Sequence, residues 1–265
     1  HDPVGMSGVR LEVEAHIVTA SVTSARNIYR ALERCELEVD HMVLESLALS
    51  HVLLGENDLE AGCVVLDIGG DISNLSVFYD GAIRHTAVVP LAGKNVTNDI
   101  AIGLRTSISQ AEELKLAHGA ALSSRVDPTE MIAVPGMAGR EPKEVSRNVL
   151  ASIIEPRIEE IFSLVARELK KIVQADSLTA GMIITGGGSL LPGTLELAEQ
   201  MFDMPVRLGT INNIAHTPDE LDNARYASAH GLLAYGFSEE PDTGTRRGAV
   251  KGWLARLENW ITKRF

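Results

Sequence analysis

The chain has 265 residues, 45% of them hydrophobic, enough for one large domain or two medium ones with real cores. Its formal net charge of −12 disfavours non-specific attachment to nucleic acid, which depends on Lys and Arg meeting phosphate. No apolar stretch approaches the roughly 20 residues a spanning helix needs, so no segment is expected to cross a bilayer. Two cysteines, Cys35 and Cys63, without CxxC or Cys/His spacing, argue against a disulfide scaffold and for a reducing cytoplasm. The eight histidines are scattered, so no metal site is expected. The opening His1-Asp2-Pro3-Val4 carries neither an initiator methionine nor a signal sequence, and reads as a fragment that starts inside a longer protein.

In chain order, residues 11–20 are strand-like and residues 21–36 helical, with Val22, Ile28, Leu32 and Cys35 as candidate core. A helix over 43–54 precedes the continuous apolar run 62–68, the pattern of a strand buried on both faces, which stops at Gly69-Gly70. Residues 75–79 and 82–89 flank Asp80-Gly81, the signature of a β-hairpin. Helices are expected over 94–104 and 109–118, the latter with Ser109 as N-cap and Glu112 closing a capping box. A Pro/Gly-rich loop over 134–142 leads into an apolar-periodic stretch, 145–173. Pro156 is expected to split that stretch into two helices, the second with Ile158, Ile161, Phe162, Val165, Leu169 and Ile172 on its core face. A second buried strand, 181–185, runs into Gly186-Gly187-Gly188 and a helix near 194–202; a helix over 222–237 and a polar linker over 238–248 follow. The order is mixed α/β with no fixed repeat.

Two strands thus end in glycine turns, Asp67-Ile68-Gly69-Gly70 and Thr185-Gly186-Gly187-Gly188-Ser189. Glycines let backbone N–H groups approach phosphate or nucleoside closely, but the same residues also serve as plain tight turns. Neither is a P-loop or a GxGxxG fingerprint. No GxSxG elbow, Ser/His/Asp set or general acid–base pair stands out, and no catalytic residue is assigned.

The charge is divided unevenly. Residues 244–265 hold Arg246, Arg247, Lys251, Arg256, Lys263 and Arg264 against the single acid Glu258, a balance of +5 that leaves −17 on the remainder. Within that tail Val250, Trp253, Leu254, Leu257, Trp260, Ile261 and Phe265 recur at spacings of three and four, which puts them on one stripe of a helix. Such a stripe can be core. The polar stretch before it, the flanking cations and the two tryptophans point instead to an amphipathic helix that lies on anionic lipid.

Asp67-Ile68-Gly69-Gly70 followed by a hairpin, then Ala111-Glu112-Glu113-Leu114-Lys115 on a helix, then Ile184-Thr185-Gly186-Gly187-Gly188-Ser189 resembles the second half of the actin-like (ribonuclease H-like) nucleotide-binding fold. More narrowly the chain resembles the FtsA family of bacterial cell-division proteins. Pro3-Val4-Gly5-Met6-Ser7-Gly8-Val9-Arg10, Ile83-Arg84-His85-Thr86, Ile154-Glu155-Pro156-Arg157 and Lys251-Gly252-Trp253-Leu254 match it along the full length. The resemblance implies the C-terminal two-thirds of such a protein, arranged as follows. Residues 1–38 are a remnant of the front subdomain, 39–90 and 174–222 the back subdomain, and 91–173 a smaller back subdomain. Residues 223–237 form a helix returning to the front, 238–249 a linker and 250–265 the membrane-targeting helix.

The same resemblance implies ATP and magnesium as cofactors. Asp67, Gly69 and Gly70 would line the phosphate and magnesium side, Glu112 and Lys115 would reach ribose and base, and Gly186, Gly187 and Gly188 would pack on the adenosine. Where the family continues with a third glycine, two hydroxyl residues and an acid, this chain has Asp71, Ile72, Ser73 and Asn74. An inward Asp71 would repel triphosphate, so weak nucleotide binding and no hydrolysis by this chain are expected. The implied partners are the C-terminal tail of FtsZ, received on residues 91–173 by Arg140, Arg157 and Glu160, anionic lipid, and further copies in an actin-like filament. The implied place is the cytoplasmic face of the inner membrane at the division site. Arg157 and Glu160 are equally an ordinary i,i+3 surface pair. Two alternatives share the fold: an ATP-hydrolysing actin-like enzyme, which would need a front phosphate loop and a catalytic acid not found in this sequence, and the type IV pilus scaffold, which lacks such a tail.

Overall fold

The computed structural model describes residues 5, 7–10, 12, 13, 15–136, 141–172, 178–211, 218 and 221–238. In chain order they form α1 (Val22–Glu33), α2 (Glu45–Leu53), α3 (Glu56–Ala61), β1 (Cys63–Ile68), β2 (Ser73–Tyr79), β3 (Ala82–Val89), α4 (Gly93–Leu104), α5 (Ile108–His118), β4 (Met131–Val134), β5 (Lys143–Ser146), α6 (Arg147–Leu169), β6 (Met182–Thr185), α7 (Thr194–Phe202), β7 (Val206–Leu208) and α8 (Ala227–Ser238). The linker and the amphipathic tail expected over 239–265, and Arg140, lie outside the described residues.

Five strands form one sheet in the order β3-β2-β1-β6-β7, antiparallel along the β3-β2-β1 meander and parallel from β1 through β6 to β7. All six residues of β1 are buried, as its unbroken apolar run predicts. Its side chains alternate between two cores. Val64, Leu66 and Ile68 join a large cluster with Ile100, Leu150, Ile154, Phe162 and Ile184, whereas Cys63 and Val65 face Leu49, Val52, Leu53, Phe78 and Ala227. The sheet is therefore the middle of three layers, with α2 and α8 on one face and α4, α6 and α7 on the other. In the hairpin Asp80 and Gly81 sit at φ 52° and 71°, the left-handed pair that a two-residue loop between right-twisted strands requires.

Several expectations fail, each for a physical reason. Residues 11–20 form no strand where they are described, and α1 buries none of its residues: Val22 is 65% and Ile28 51% exposed, Cys35 is exposed and Leu32 only half-buried. The amphipathic pattern shapes the helix but meets no surface here. The N-cap of α5 is Ser107, whose Oγ accepts from the Gln110 N–H at 3.3 Å, not Ser109; Glu112 lies a turn deeper, engaged with Lys115 instead of closing a capping box. The loop expected over 134–142 gives up Val134 to a two-stranded ribbon, β4 with β5, whose four-residue strands alternate too briefly to be recognised.

Pro156 does not split the helix. α6 runs unbroken for 23 residues because Leu150 and Ile154 before the proline and Ile158, Ile161 and Phe162 after it enter the same core. An interior proline costs about 3 kcal/mol, and each large buried side chain returns roughly 1.5–3 kcal/mol, so burial wins. Ile172, expected on this core face, falls beyond the helix end and is only half-buried. The helix expected over 222–237 begins instead as a 3-10 turn at Ala224–Tyr226 and becomes α8 at Ala227. The short α3 and β7 are additions to the expected elements.

α8 packs on α2 backbone to backbone: a Cβ on Gly231 would stand 2.3 Å from the Ala48 carbonyl oxygen, whereas one on Gly236 meets nothing within 4 Å. Gly231→Ala is expected to lower stability by about 1–3 kcal/mol through overpacking. Gly236→Ala, which only restricts the unfolded chain, is expected to raise it by about 0.5–1 kcal/mol. Urea denaturation of the two variants checks this, and equal effects would mean that the helices do not meet at Gly231.

Candidate functional site

The two glycine turns lie side by side because the strands that carry them are parallel neighbours, with Asp67 in register with Thr185. Ligands of open α/β sheets bind at these carboxyl ends. Glycine is demanded at two of the positions by packing alone. A Cβ on Gly186, at φ +80°, would fall 2.0 Å from Asp67 Oδ1, and one on Gly188 would fall 2.4 Å from Ile68 Cγ2. Gly70 and Gly187, by contrast, face open space. Both uses of the glycines are thus present: two let the turns touch, and two keep a cradle open.

The Gly69-Gly70 turn is held from behind by the start of α4, whose Gly93 and Lys94 N–H groups donate to the Gly69 and Gly70 carbonyls at 3.1 and 2.8 Å. Orphan amides of a helix N-terminus are satisfied by the turn's own oxygens. Asp71 does not lean into the cleft. It is 70% exposed and pairs with Lys94 Nζ at 2.7 Å, so its charge is answered on the rim. The repulsion expected from an inward Asp71 therefore has no basis in the geometry.

Glu112 and Lys115, a turn apart on α5, come together beside the same glycine turn. Lys115 Nζ donates to Glu112 Oε2 at 2.7 Å, to Thr97 Oγ1 at 2.9 Å and to the Gly93 carbonyl at 3.1 Å, and the Thr97 hydroxyl donates to the same carboxylate. Burial opposes ionisation of Glu112, but the hydrogen bonds from Lys115 and Thr97 and the charges of Lys115 and Arg225 outweigh it and hold the carboxyl below its ordinary value. The Gly93 contact joins α5 to the phosphate-side turn.

A carboxylate that the sequence reading did not single out is Glu45, the first residue of α2. Its carboxylate lies against Asp67 at the end of β1, with Ser228 of α8 donating to Glu45 Oε1 at 2.6 Å and Asn74 of β2 donating to Oε2. Asp67 is only 7% exposed. Burial first, then the charge and hydrogen bond of Glu45, push its carboxyl up from 3.8 to about 7, with Ser228 pulling slightly the other way. No spacing in the sequence links Glu45 to Asp67; the pair exists only because α2 crosses the end of the sheet.

Arg157 and Glu160 sit on α6 and pair as their i,i+3 spacing predicts. Arg157 also grips Asp99 of α4 through both Nε (2.5 Å) and Nη2 (3.0 Å), a fork that raises its already high pKa. Its guanidinium is thus a tie between α4 and α6 as well as a surface charge.

A sheet of this order, with paired glycine turns at the ends of its central parallel strands and the buried Asp67 carboxylate closing one of them, is the actin-like fold. Among solved structures, MreB5 of Spiroplasma citri bound to ADP matches 83% of this chain and 69% of its own length with a TM-score of 0.67 at 16% identity. The family model described as cell division protein FtsA matches residues 64–231. The cell division protein FtsA of Pseudomonas aeruginosa is 41% identical and that of Escherichia coli 38% identical over 100% of this chain. The chain spans 66% of the length of each of these relatives. It belongs to the FtsA family of cell-division proteins.

The carboxylate pair sets a pH dependence. Because the folded-state pKa of Asp67 lies above its unfolded value, its contribution to stability is complete below about 3.8 and is lost as pH rises through about 7. Stability of the wild type in metal-free buffer should therefore fall between pH 5 and 7.5, and Asp67→Asn should remove about 1–3 kcal/mol of that fall. Urea titrations at the two pH values measure it; identical slopes in both proteins would show that the pair is not a coupled buried one.

Proposed function

We propose that the protein carrying this chain is a division-ring adaptor at the cytoplasmic face of the inner membrane. It would bind the C-terminal tail of FtsZ through residues 91–173, hold nucleotide in the cleft, associate with further copies, and attach to anionic lipid through residues 250–265. The carrying observation is that likeness to FtsA proteins extends over 100% of the chain, tail included. Among the described residues no helix is long and apolar enough to cross a membrane. The subdomain limits 1–38, 39–90, 91–173, 174–222, 223–237, 238–249 and 250–265 belong to the same proposal.

ATP with magnesium fits the residues present. Gly70 and Gly187 leave the cradle open, Asp67 and Glu45 put two carboxylates beside it where a divalent cation would relieve their repulsion, and the Glu112 carboxylate, held by Lys115, offers an acceptor. The bound nucleotide would supply a triphosphate whose presence or loss changes what these groups face. Its binding by this chain is expected to be stronger than Asp71 alone would suggest, since Lys94 answers that charge. A second reading, that the cleft hydrolyses the nucleotide, draws on one observation, the placement of Glu45 against Asp67.

On residues 91–173 the FtsZ tail would meet Arg157, Glu160 and Arg140, with the exposed Ile102 and Val149 as apolar neighbours. Reversing one charge-assisted contact should weaken a peptide from the FtsZ C-terminus by about 1–3 kcal/mol in Arg157→Glu. Since that change also breaks the fork to Asp99, Asp99→Asn serves as control and should weaken the peptide less. Calorimetric titration decides, and unchanged affinity in Arg157→Glu removes the residue from the contact.

The tail carries seven large apolar residues on one stripe and Lys251, Arg256, Lys263 and Arg264 beside it. Each apolar group contributes up to roughly 1.5–3 kcal/mol if buried, and each cation about 1 kcal/mol on anionic lipid, lost progressively as salt rises. The intact protein should sediment with anionic vesicles, and deletion of 250–265 or Trp260→Glu should leave it in the supernatant. A truncated protein that pellets as well as the intact one would sink the proposed anchor.

A further inference from the structure

Both oxygens of the Glu45 carboxylate are taken by protein donors from elements far apart in the chain. Ser228 of α8 holds Oε1 at 2.6 Å across 183 residues, and Asn74 of β2, which lies in register with Asp67, holds Oε2. The Ser228 oxygen is also 3.4 Å from Asp67 Oδ2, so its single hydrogen serves one carboxylate at the expense of the other. One turn further along both helices Gly231 lies on Ala48 with no room for a side chain, so α8 cannot shift along α2 without disturbing the contact at Glu45. Four residues before Ser228, the Ala224 carbonyl accepts from the Gly186 N–H at 3.1 Å and from the Thr185 hydroxyl at 3.2 Å. The segment from Ala224 to Ser228 therefore touches both glycine-turn strands, one at each end.

We propose that Ser228 is a positioning residue of the cleft, clamping the Glu45 carboxylate beside Asp67 and tying the start of α8 to whatever occupies the phosphate side. This rests on the nucleotide reading of the site. A carboxylate held by two donors keeps its charge spread over those bonds and its oxygens turned toward the protein. With the Ser228 hydroxyl removed, Oε1 loses its donor and is free to turn into the cradle, where a phosphate would meet it. The clamp also explains why a serine stands at the second position of α8, where helix propensity would favour alanine.

The test uses the full-length protein with Ser228→Ala, Ser228→Thr, Glu45→Ala and the Ser228→Ala/Glu45→Ala double variant, each followed by urea denaturation without nucleotide and by calorimetric titration with ATP and magnesium. In urea, Ser228→Ala should lower the midpoint, Ser228→Thr should restore it, and the effect of Ser228→Ala should vanish in the Glu45→Ala background. In the titration Ser228→Ala should weaken ATP roughly 3- to 10-fold, the worth of one such hydrogen bond, with Ser228→Thr near wild type. An equal loss of midpoint with and without Glu45 overturns the clamp. Unchanged ATP affinity in Ser228→Ala overturns its role in the cleft. A wild type that binds no ATP sinks the nucleotide reading and with it the cleft role, while the urea cycle still decides, by itself, whether Ser228 clamps Glu45.

Discussion

Burial of β1 on both faces is the constraint from which the rest of the molecule follows. Its five apolar side chains alternate between two cores, so a slip of one residue against β2 or β6 would send each of them into the wrong layer. That cost locks the register, and the register delivers Asp67 to the sheet end opposite Thr185, within reach of Gly186. The site's placement is thus inherited from hydrophobic packing. The contact between the two turns is then so close that only glycine fits at Gly186 and Gly188, which leaves Gly70 and Gly187 as the open part of the cradle.

Charge in the cleft is arranged by donors, with burial working against it. Asp67 is buried with the Glu45 carboxylate against it, an arrangement that disfavours its ionisation. Ser228 and Asn74 offset part of the cost by hydrogen bonding Glu45. Asp71 avoids the problem by turning to Lys94 at the exposed rim. Lys115 pairs with Glu112 and helps hold its carboxyl below its ordinary value, whereas that of Asp67 is pushed above its own.

The body described here and the tail that follows it obey different physics. The body is acidic and owes its order to buried strands and to α6, which accepts an interior proline because the core on either side of it is worth more. Arg157, one residue after that proline, uses the unbroken helix to reach Asp99 on α4, so one residue serves both cohesion and charge display. The sequence that follows is basic, and its apolar residues recur at spacings of three and four, the pattern on which the proposed lipid contact rests.

By itself the sequence determined the elements whose signals are local. The hairpin at Asp80-Gly81 was legible because a two-residue loop needs left-handed backbone there, and β1 and β6 because unbroken apolar runs ending in glycine have few other uses. The Arg157–Glu160 pair was legible because helical spacing places the two in contact. The motifs around Asp67 and the glycine turns carried the resemblance to one family. Tertiary structure alone decided the rest. Pro156 is carried through α6 because burial exceeds its local cost, and α1 leaves its apolar stripe exposed because periodicity does not say whether a partner surface is present. The direction of Asp71 turned on a lysine 23 residues away, and Glu45 met Asp67 and Ser228 only through the crossing of α2 and α8 over the sheet end. These are contacts between distant segments, and no local periodicity records which side chains a fold will bring together.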